Sequence, residues 1–231
     1  MIPSSLSSAA LHFGDVSLDG RVIAAPMAGV SDQPYRRLAR EYGAALAVTE
    51  MVSASPELRD TRKSRQRTTH CDETSPVSVQ LLGADPQQMA DAARENVSRG
   101  AQLIDINLGC PTKKVCKRLV GSALMRDETL VGRILDSVVA AVSVPVTLKM
   151  RTGWDRANRN AITIAKMAEQ SGVQALTVHG RSRECRYHGP IDYETIGAVK
   201  ASVSIPVVAN GEDRKSTRLN SSHLVISYAV F

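Results

Sequence analysis

Gly109-Cys110-Pro111 places a thiol three residues beyond Asn107 and just ahead of a lysine pair, Lys113 and Lys114. Glycine permits an unusual backbone at such a turn, and proline stiffens its exit. An exposed thiol beside lysines is placed to exchange protons near neutral pH. A free cysteine is more often one small buried residue among others, so the claim of Cys110 depends on its companions. Lys149, in Thr147-Leu-Lys-Met-Arg151, ends an otherwise apolar run. A lysine aimed inward there needs a countercharge or an anionic ligand, unless it snorkels to the surface. His179, Gly180 and Arg181 suit a phosphate through a ring N–H, an open backbone and a guanidinium, although a purely structural histidine fits equally. Ala25-Pro-Met-Ala-Gly29 is a small-residue turn whose backbone could lie flat against a planar ligand.

These residues fall at the ends of β-rich runs, and the runs alternate with helical patterns. Strands are expected at Val22–Pro26, Ala45–Thr49, Val77–Leu81, Leu103–Asn107, Val144–Lys149, Ala175–His179 and Ile205–Asn210. Helices are expected at Gln33–Tyr42, Pro86–Arg99, Glu128–Val142, Arg159–Ser171 and Tyr193–Ala201. Asp85 is a plausible cap for the second of these, with Pro86 in its first turn and Gly100 after it. Repeated β-then-α units imply parallel strands with right-handed crossovers. A doubly wound sheet shares that rhythm. What favours a barrel is that Glu50, Gln80, Asn107, Lys149, His179 and Asn210 all stand at strand ends, which in a barrel converge on one face.

Length and composition permit one sizeable core or two small ones. The 231 residues suit one barrel domain, tightly, since such barrels run to about 250. An aromatic share of 3% leaves the core to Ala, Val, Ile and Leu, as in buried parallel strands. The net charge of +6 is a mild bias toward polyanions, and residues 213–231 supply part of it. Arg59, Arg62, Lys63, Arg65 and Arg67 form one basic cluster; Lys113, Lys114, Lys117 and Arg118 form another that flanks Cys110. Charge runs are usually solvated faces. Four cysteines without a Cys-x-x-Cys pair suggest neither a zinc site nor a disulfide framework. With no apolar run near the roughly 18 residues of a membrane span, a cytoplasmic protein without a membrane partner is expected.

Seven strands are read where a closed barrel of this kind needs eight. After Gly211 the β/α rhythm fails: residues 212–223 are polar and unpatterned, and an apolar run, Leu224–Phe231, follows. The expectation is an α/β chain, a (β/α)8 TIM barrel incomplete at about seven of eight units over residues 1–212. Residues 213–231 then form an unrelated tail, and the Leu224–Phe231 run is the one segment long enough to enter the gap as a strand.

Taken together, AAPMAGVSDQPYR, SVQLLGADPQQMADAAR, GAQLIDINLGCPTKKV, PVTLKMRTGW, ALTVHGR and IPVVANG resemble the tRNA-dihydrouridine synthases, particularly their bacterial B-type branch. The match runs from about Val22 to Gly211, and Asp-Ile-Asn-x-Gly-Cys-Pro is its most specific piece. The resemblance implies an FMN-bound barrel, NADPH as reductant, tRNA as substrate, and a C-terminal helical domain that this sequence does not show. It implies that Pro26, Met27 and Ala28 line the flavin, that Gln80 reaches its ring, and that Lys149 meets its N1–O2 side. His179 would approach the phosphate, and Asn210, Gly211 and Glu212 would begin the phosphate-binding edge. Cys110 would be the catalytic acid, with Asn107, Lys113, Lys114 and Arg181 on the substrate side. The family usually has Asp where Glu212 stands. A monomer is expected. A dihydroorotate-dehydrogenase-like flavin barrel and an inactive fragment are the alternatives.

Overall fold

The computed structural model describes residues 10–59, 61, 64, 73–116, 119–211 and 225–228. A hairpin comes first, β1 (Leu11–Phe13) and β2 (Val16–Leu18). Then follow β3 (Val22–Ala24), α1 (Gln33–Glu41), β4 (Leu46–Ala47), β5 (Val52–Ser53), α2 (Pro56–Arg59), β6 (Ser78–Leu82), α3 (Pro86–Ser98) and β7 (Leu103–Leu108). The rest is α4 (Lys113–Cys116), a 3-10 turn (Gly121–Arg126), α5 (Glu128–Ala141), β8 (Val146–Arg151), α6 (Ala161–Gln170), β9 (Ala175–His179), α7 (Tyr193–Ser202), β10 (Val207–Asn210) and β11 (Val225–Tyr228).

Strand composition explains a barrel with two cores. In β7, Ile104, Ile106 and Leu108 face out and pack with Met89, Ala92 and Ala93 of α3 and Ile134, Leu135 and Val138 of α5. The alternate residues, Leu103, Asp105 and Asn107, face in, as the period of two requires. β8 repeats this with Val146, Leu148 and Met150 outside and Thr147, Lys149 and Arg151 inside. The lower interior is filled by Ile23, Leu46, Val48, Leu103, Ala175 and Val208, and Phe13 and Leu18 of the hairpin plug it from the N-terminal end. The hairpin was not foreseen from the sequence. Its two strands are three residues each, too short for the alternation to register.

Helix starts obey the capping rule. Asp85 accepts from Gln88 N at 2.8 Å, Asp127 from Leu130 N at 2.9 Å and Asp192 from Thr195 N at 3.0 Å.

The strands run parallel in the order β4-β3-β11-β10-β9-β8-β7-β6-β5. A parallel bridge from Val48, just after β4, to Ser78 of β6 closes the ring. The sequence reading left one stave unfilled; the structure corrects this. β11 lies between β10 and β3, pairing Ala209 with Ile226 on one side and Ile226 with Val22 on the other. Four residues suffice, because both neighbours present short parallel edges. The apolar run at the end of the chain thus takes the gap that it was long enough to fill. Among the described residues no helix is long and apolar enough to cross a membrane.

Candidate active site

The inward residues of adjacent strands stand in layers set by register. Gln80, Asp105 and Thr147 share one layer; Asn107, Lys149 and Thr177 share the next; Arg151, His179 and Asn210 form the rim. The rim stands at C-terminal strand ends, where barrel sites are built, with the other two layers beneath it. A cavity of about 290 Å³ opens there, lined by Pro26, Met27, Ala28, Gln80, Asn107, Cys110, Lys149, His179 and Asn210. Nine residues singled out in the sequence therefore share one cavity. Arg151 and Tyr187 also line it and were not among the expected site residues. Arg151 follows Lys149 at an interval of two, the signal that could have found it.

One wall is the 25–29 turn. Ser31 Oγ accepts from Met27 N at 2.8 Å and donates to Met27 O at 3.1 Å, and Glu50 accepts from Gly29 N. Arg36, 1% exposed, fixes this turn from behind by donating to Ser31 O at 2.8 Å and to Glu73 Oε2 at 2.8 Å. Glu50 thus supports the loop instead of lining the cavity.

The opposite side presents Cys110. Asn107 Oδ1 accepts from both Gly109 N and Cys110 N at 3.0 Å. Ser122 Oγ donates to Cys110 O at 2.8 Å. Gly121 has φ +64°, and a Cβ there would stand 3.1 Å from Cys110 Cβ, so only glycine lets the following turn close under the thiol's backbone. Arg151 Nε donates to Gly109 O at 2.7 Å, and its Nη1 donates to Ser182 O at 3.0 Å and Arg186 O at 2.8 Å. One guanidinium thereby ties the Cys110 turn to the loop after β9, and it lies over the Tyr187 ring at 5.6 Å. Burial pushes Arg151 down to about 10, still charged at neutral pH. Cys116 lies beneath the turn, its Sγ 3.8 Å from Cys110 O, and is a free thiol.

Lys149 donates to Asn210 Oδ1 at 2.9 Å, a neutral acceptor. Burial, reinforced by Arg151 and opposed by Asp105, lowers its ammonium to about 8. Burial also lowers His179 to about 2, with Lys149, Arg151 and Arg181 adding to the effect, so its imidazole is neutral. The site can thus offer an anion the Lys149 ammonium, a neutral ring and an amide, with the charged Arg151 guanidinium also lining the cavity. The small-residue Pro26–Ala28 turn lines the same cavity, which therefore suits an anionic planar cofactor. Among the described residues no cluster of His, Cys, Asp or Glu could hold a metal.

The remaining expected site residues divide. Arg181 is buried and donates to Gly189 O at 2.9 Å; it lines a neighbouring cleft instead of the main cavity. Gly211 follows β10 directly and packs on Ile191, where a Cβ would come within 2.8 Å. Lys113 and Lys114 open α4, just beyond the Cys110 turn. Glu212, Cys71, Lys117 and Arg118 lie outside the described residues, as do Arg62, Lys63, Arg65 and Arg67.

A parallel barrel with its polar residues gathered at the C-terminal mouth defines the class, and fold comparison agrees. A solved structure of a variant of NCR from Zymomonas mobilis is similar with a TM-score of 0.65 at 16% identity, covering 95% of this chain and 84% of that one. That likeness concerns the fold alone. The family model for dihydrouridine synthase matches residues 22–225, and the chain belongs to that family. It is 58% identical to the tRNA-dihydrouridine synthase B of Pseudomonas aeruginosa over 87% of this chain and 61% of that protein. With the Shewanella oneidensis protein of the same name it shares 57% identity, over 87% of this chain and 63% of that protein. The chain thus spans about three-fifths of the length of these curated relatives.

Proposed function

We propose that this chain is the catalytic barrel of a tRNA-dihydrouridine synthase, reducing the C5–C6 bond of uridine in tRNA with FMN as cofactor and NADPH as reductant. The observation that carries the reading is the Cys110 thiol, anchored through its own backbone at the cavity that also holds Lys149 and His179. Pro26, Met27 and Ala28 would lie along the flavin ring, with Gln80 and Lys149 at its polar edge. His179, Asn210, Gly211 and Glu212 would serve the phosphate. Bound reduced FMN would supply the hydride for uracil C6. Cys110 Sγ–H would give its proton to C5 of the base, which Asn107 would help hold. Arg151, charged and lining the same cavity, holds the turn that presents the thiol. A tRNA substrate places the protein in the cytoplasm, and we take it to act as a monomer. The test is dihydrouridine content, by mass spectrometry, of unmodified tRNA incubated with the protein, FMN and NADPH; no product above a no-enzyme control rejects the reading.

The Lys149 assignment has a pH signature. A flavin whose N1–O2 edge accepts from the ammonium, and whose phosphate is anionic, favours the protonated form of Lys149 and raises its pKa above the value of about 8 in the free site. Binding therefore takes up a proton as the solution passes above that value. FMN affinity should be level below pH 8 and fall above it, by at most about tenfold per pH unit. Lys149→Met should bind more weakly and lose this slope. Fluorescence titration on both sides of pH 8 checks it, and equal slopes in the two proteins remove Lys149 from the flavin site.

Lys113 and Lys114 are assigned to RNA phosphates, along with Arg181. The double alanine variant of the lysines should flatten the log–log salt dependence of tRNA binding by up to about two units, nearly one per lost contact. An unchanged slope and affinity would return both lysines to the solvated surface.

A further inference from the structure

The geometry points to Asp105 as a positioning residue that sets the Cys110 turn through a hydrogen-bond relay of fixed polarity. The relay runs through the barrel interior, and each link dictates the next. Asn107 Oδ1 must face the turn, because it accepts from Gly109 N and Cys110 N, both at 3.0 Å. Its Nδ2 is then turned toward Gln80 and donates to Gln80 Oε1 at 2.6 Å. Gln80 in turn directs Nε2 at Asp105, donating to Oδ2 at 2.6 Å. Asp105 must be an acceptor there, and its other oxygen accepts from Thr147 Oγ1 at 2.6 Å. An amide side chain can flip end for end at little steric cost. Asn107 and Gln80 therefore do not choose their own orientations; the carboxylate at the buried end does.

All four side chains are at most 8% exposed, so water does not compete strongly for these bonds. Thr49 Oγ1 also accepts from Gln80 N at 3.0 Å, holding the backbone from which the central amide projects. Burial pushes Asp105 up from the usual carboxylate range, and its bonds to Thr147 and Gln80 and the charge of Lys149 oppose that. The relay requires an acceptor and not a charge. Asparagine can serve: its Oδ1 accepts from Gln80 while its Nδ2 donates to Thr147, whose hydroxyl turns to accept. Leucine cannot.

The catalytic interest of the relay rests on Cys110 being the acid, but its test needs neither flavin nor RNA. Amide hydrogen exchange at Gly109 and Cys110 is followed by NMR in the full chain, normalised to core amides such as Leu148 and Val178. Asp105→Leu should release the two turn amides about tenfold faster, the order of one lost neutral hydrogen bond. Asp105→Asn should restore the parent rates. If Asp105→Leu does not fold, Gln80→Met breaks the same relay one link along and should loosen the same two amides. A merely structural aspartate would shift melting and core exchange together and leave the normalised turn amides unmoved. Turn amides as protected as the parent's in the leucine or methionine variant overturn the proposal, as does an asparagine variant that behaves like leucine. A protein that makes no dihydrouridine yet shows this exchange pattern would reject the function and keep the relay.

Discussion

Cys110→Ala is expected to keep its flavin and lose dihydrouridine formation by about 10²- to 10⁴-fold, the usual cost of removing a general acid. The cavity explains why the two effects separate. The turn is held by backbone contacts, from Asn107 Oδ1 to the Gly109 and Cys110 amides and from Arg151 to Gly109 O, and none uses the thiol. Truncating Sγ removes a weak contact with Thr112 Oγ1 at 3.5 Å and leaves the cavity's other walls in place. Hydride delivery without a proton for C5 would stall the substrate as a carbanion, so the loss should appear in the chemical step and not in tRNA binding. Single-turnover oxidation of the reduced protein by tRNA, read as the return of flavin absorbance, isolates that step. Equal rates in parent and variant would remove Cys110 from the chemistry. A variant that loses flavin as well would show that the thiol helps build the cavity.

The reach of the sequence can be judged from the same residues. Gln80, Asn107, Lys149, His179 and Asn210 were legible because each interrupts an apolar strand at its C-terminal end, and a barrel gathers such ends by construction. Register then does what sequence spacing cannot: it sets Asn107 beside Lys149 and Arg151 beside His179. Arg36 was not legible as a site residue, since a buried arginine is rare and nothing local distinguishes it from a surface one, and Arg151 was marked only by its interval of two from Lys149. Their partners, Glu73 for Arg36 and the carbonyls of Gly109 and Ser182 for Arg151, are over thirty residues away. Gly121 and Ser122 were missed for the same reason, because their role beneath Cys110 depends on a tertiary turn. Arg181, expected on the substrate side, is buried and donates to Gly189 O through Nε and Nη2, in a cleft beside the main cavity. The eighth stave was legible only as a candidate, the Leu224–Phe231 run, because just four residues of it pair, after a stretch without pattern.

That stave carries the second large prediction. Ile226 lies within β11 and pairs with Ala209 on one side and Val22 on the other, so its backbone belongs to two ladders at once. Ile226→Pro removes the N–H and imposes a ring on a strand flanked on both sides, a position where proline is not tolerated. The orphaned acceptor alone costs about 1 to 3 kcal/mol. At about 2 to 4 °C per kcal/mol for a chain of this size, Tm should fall by roughly 2 to 12 °C. Separating β11 would also open the edges of β3 and β10, an aggregation hazard. Because Asn210 and the turn after Ala24 reach the cavity from those two strands, flavin retention should fall along with Tm. Differential scanning calorimetry and the visible spectrum of parent and variant, purified side by side, read both effects. A variant with the parent's Tm and flavin content would mean that residues 225–228 do not close the barrel in solution. A parent chain with no cooperative melt would mean that the β3 and β10 edges stand open, with the tail too weakly paired to hold them.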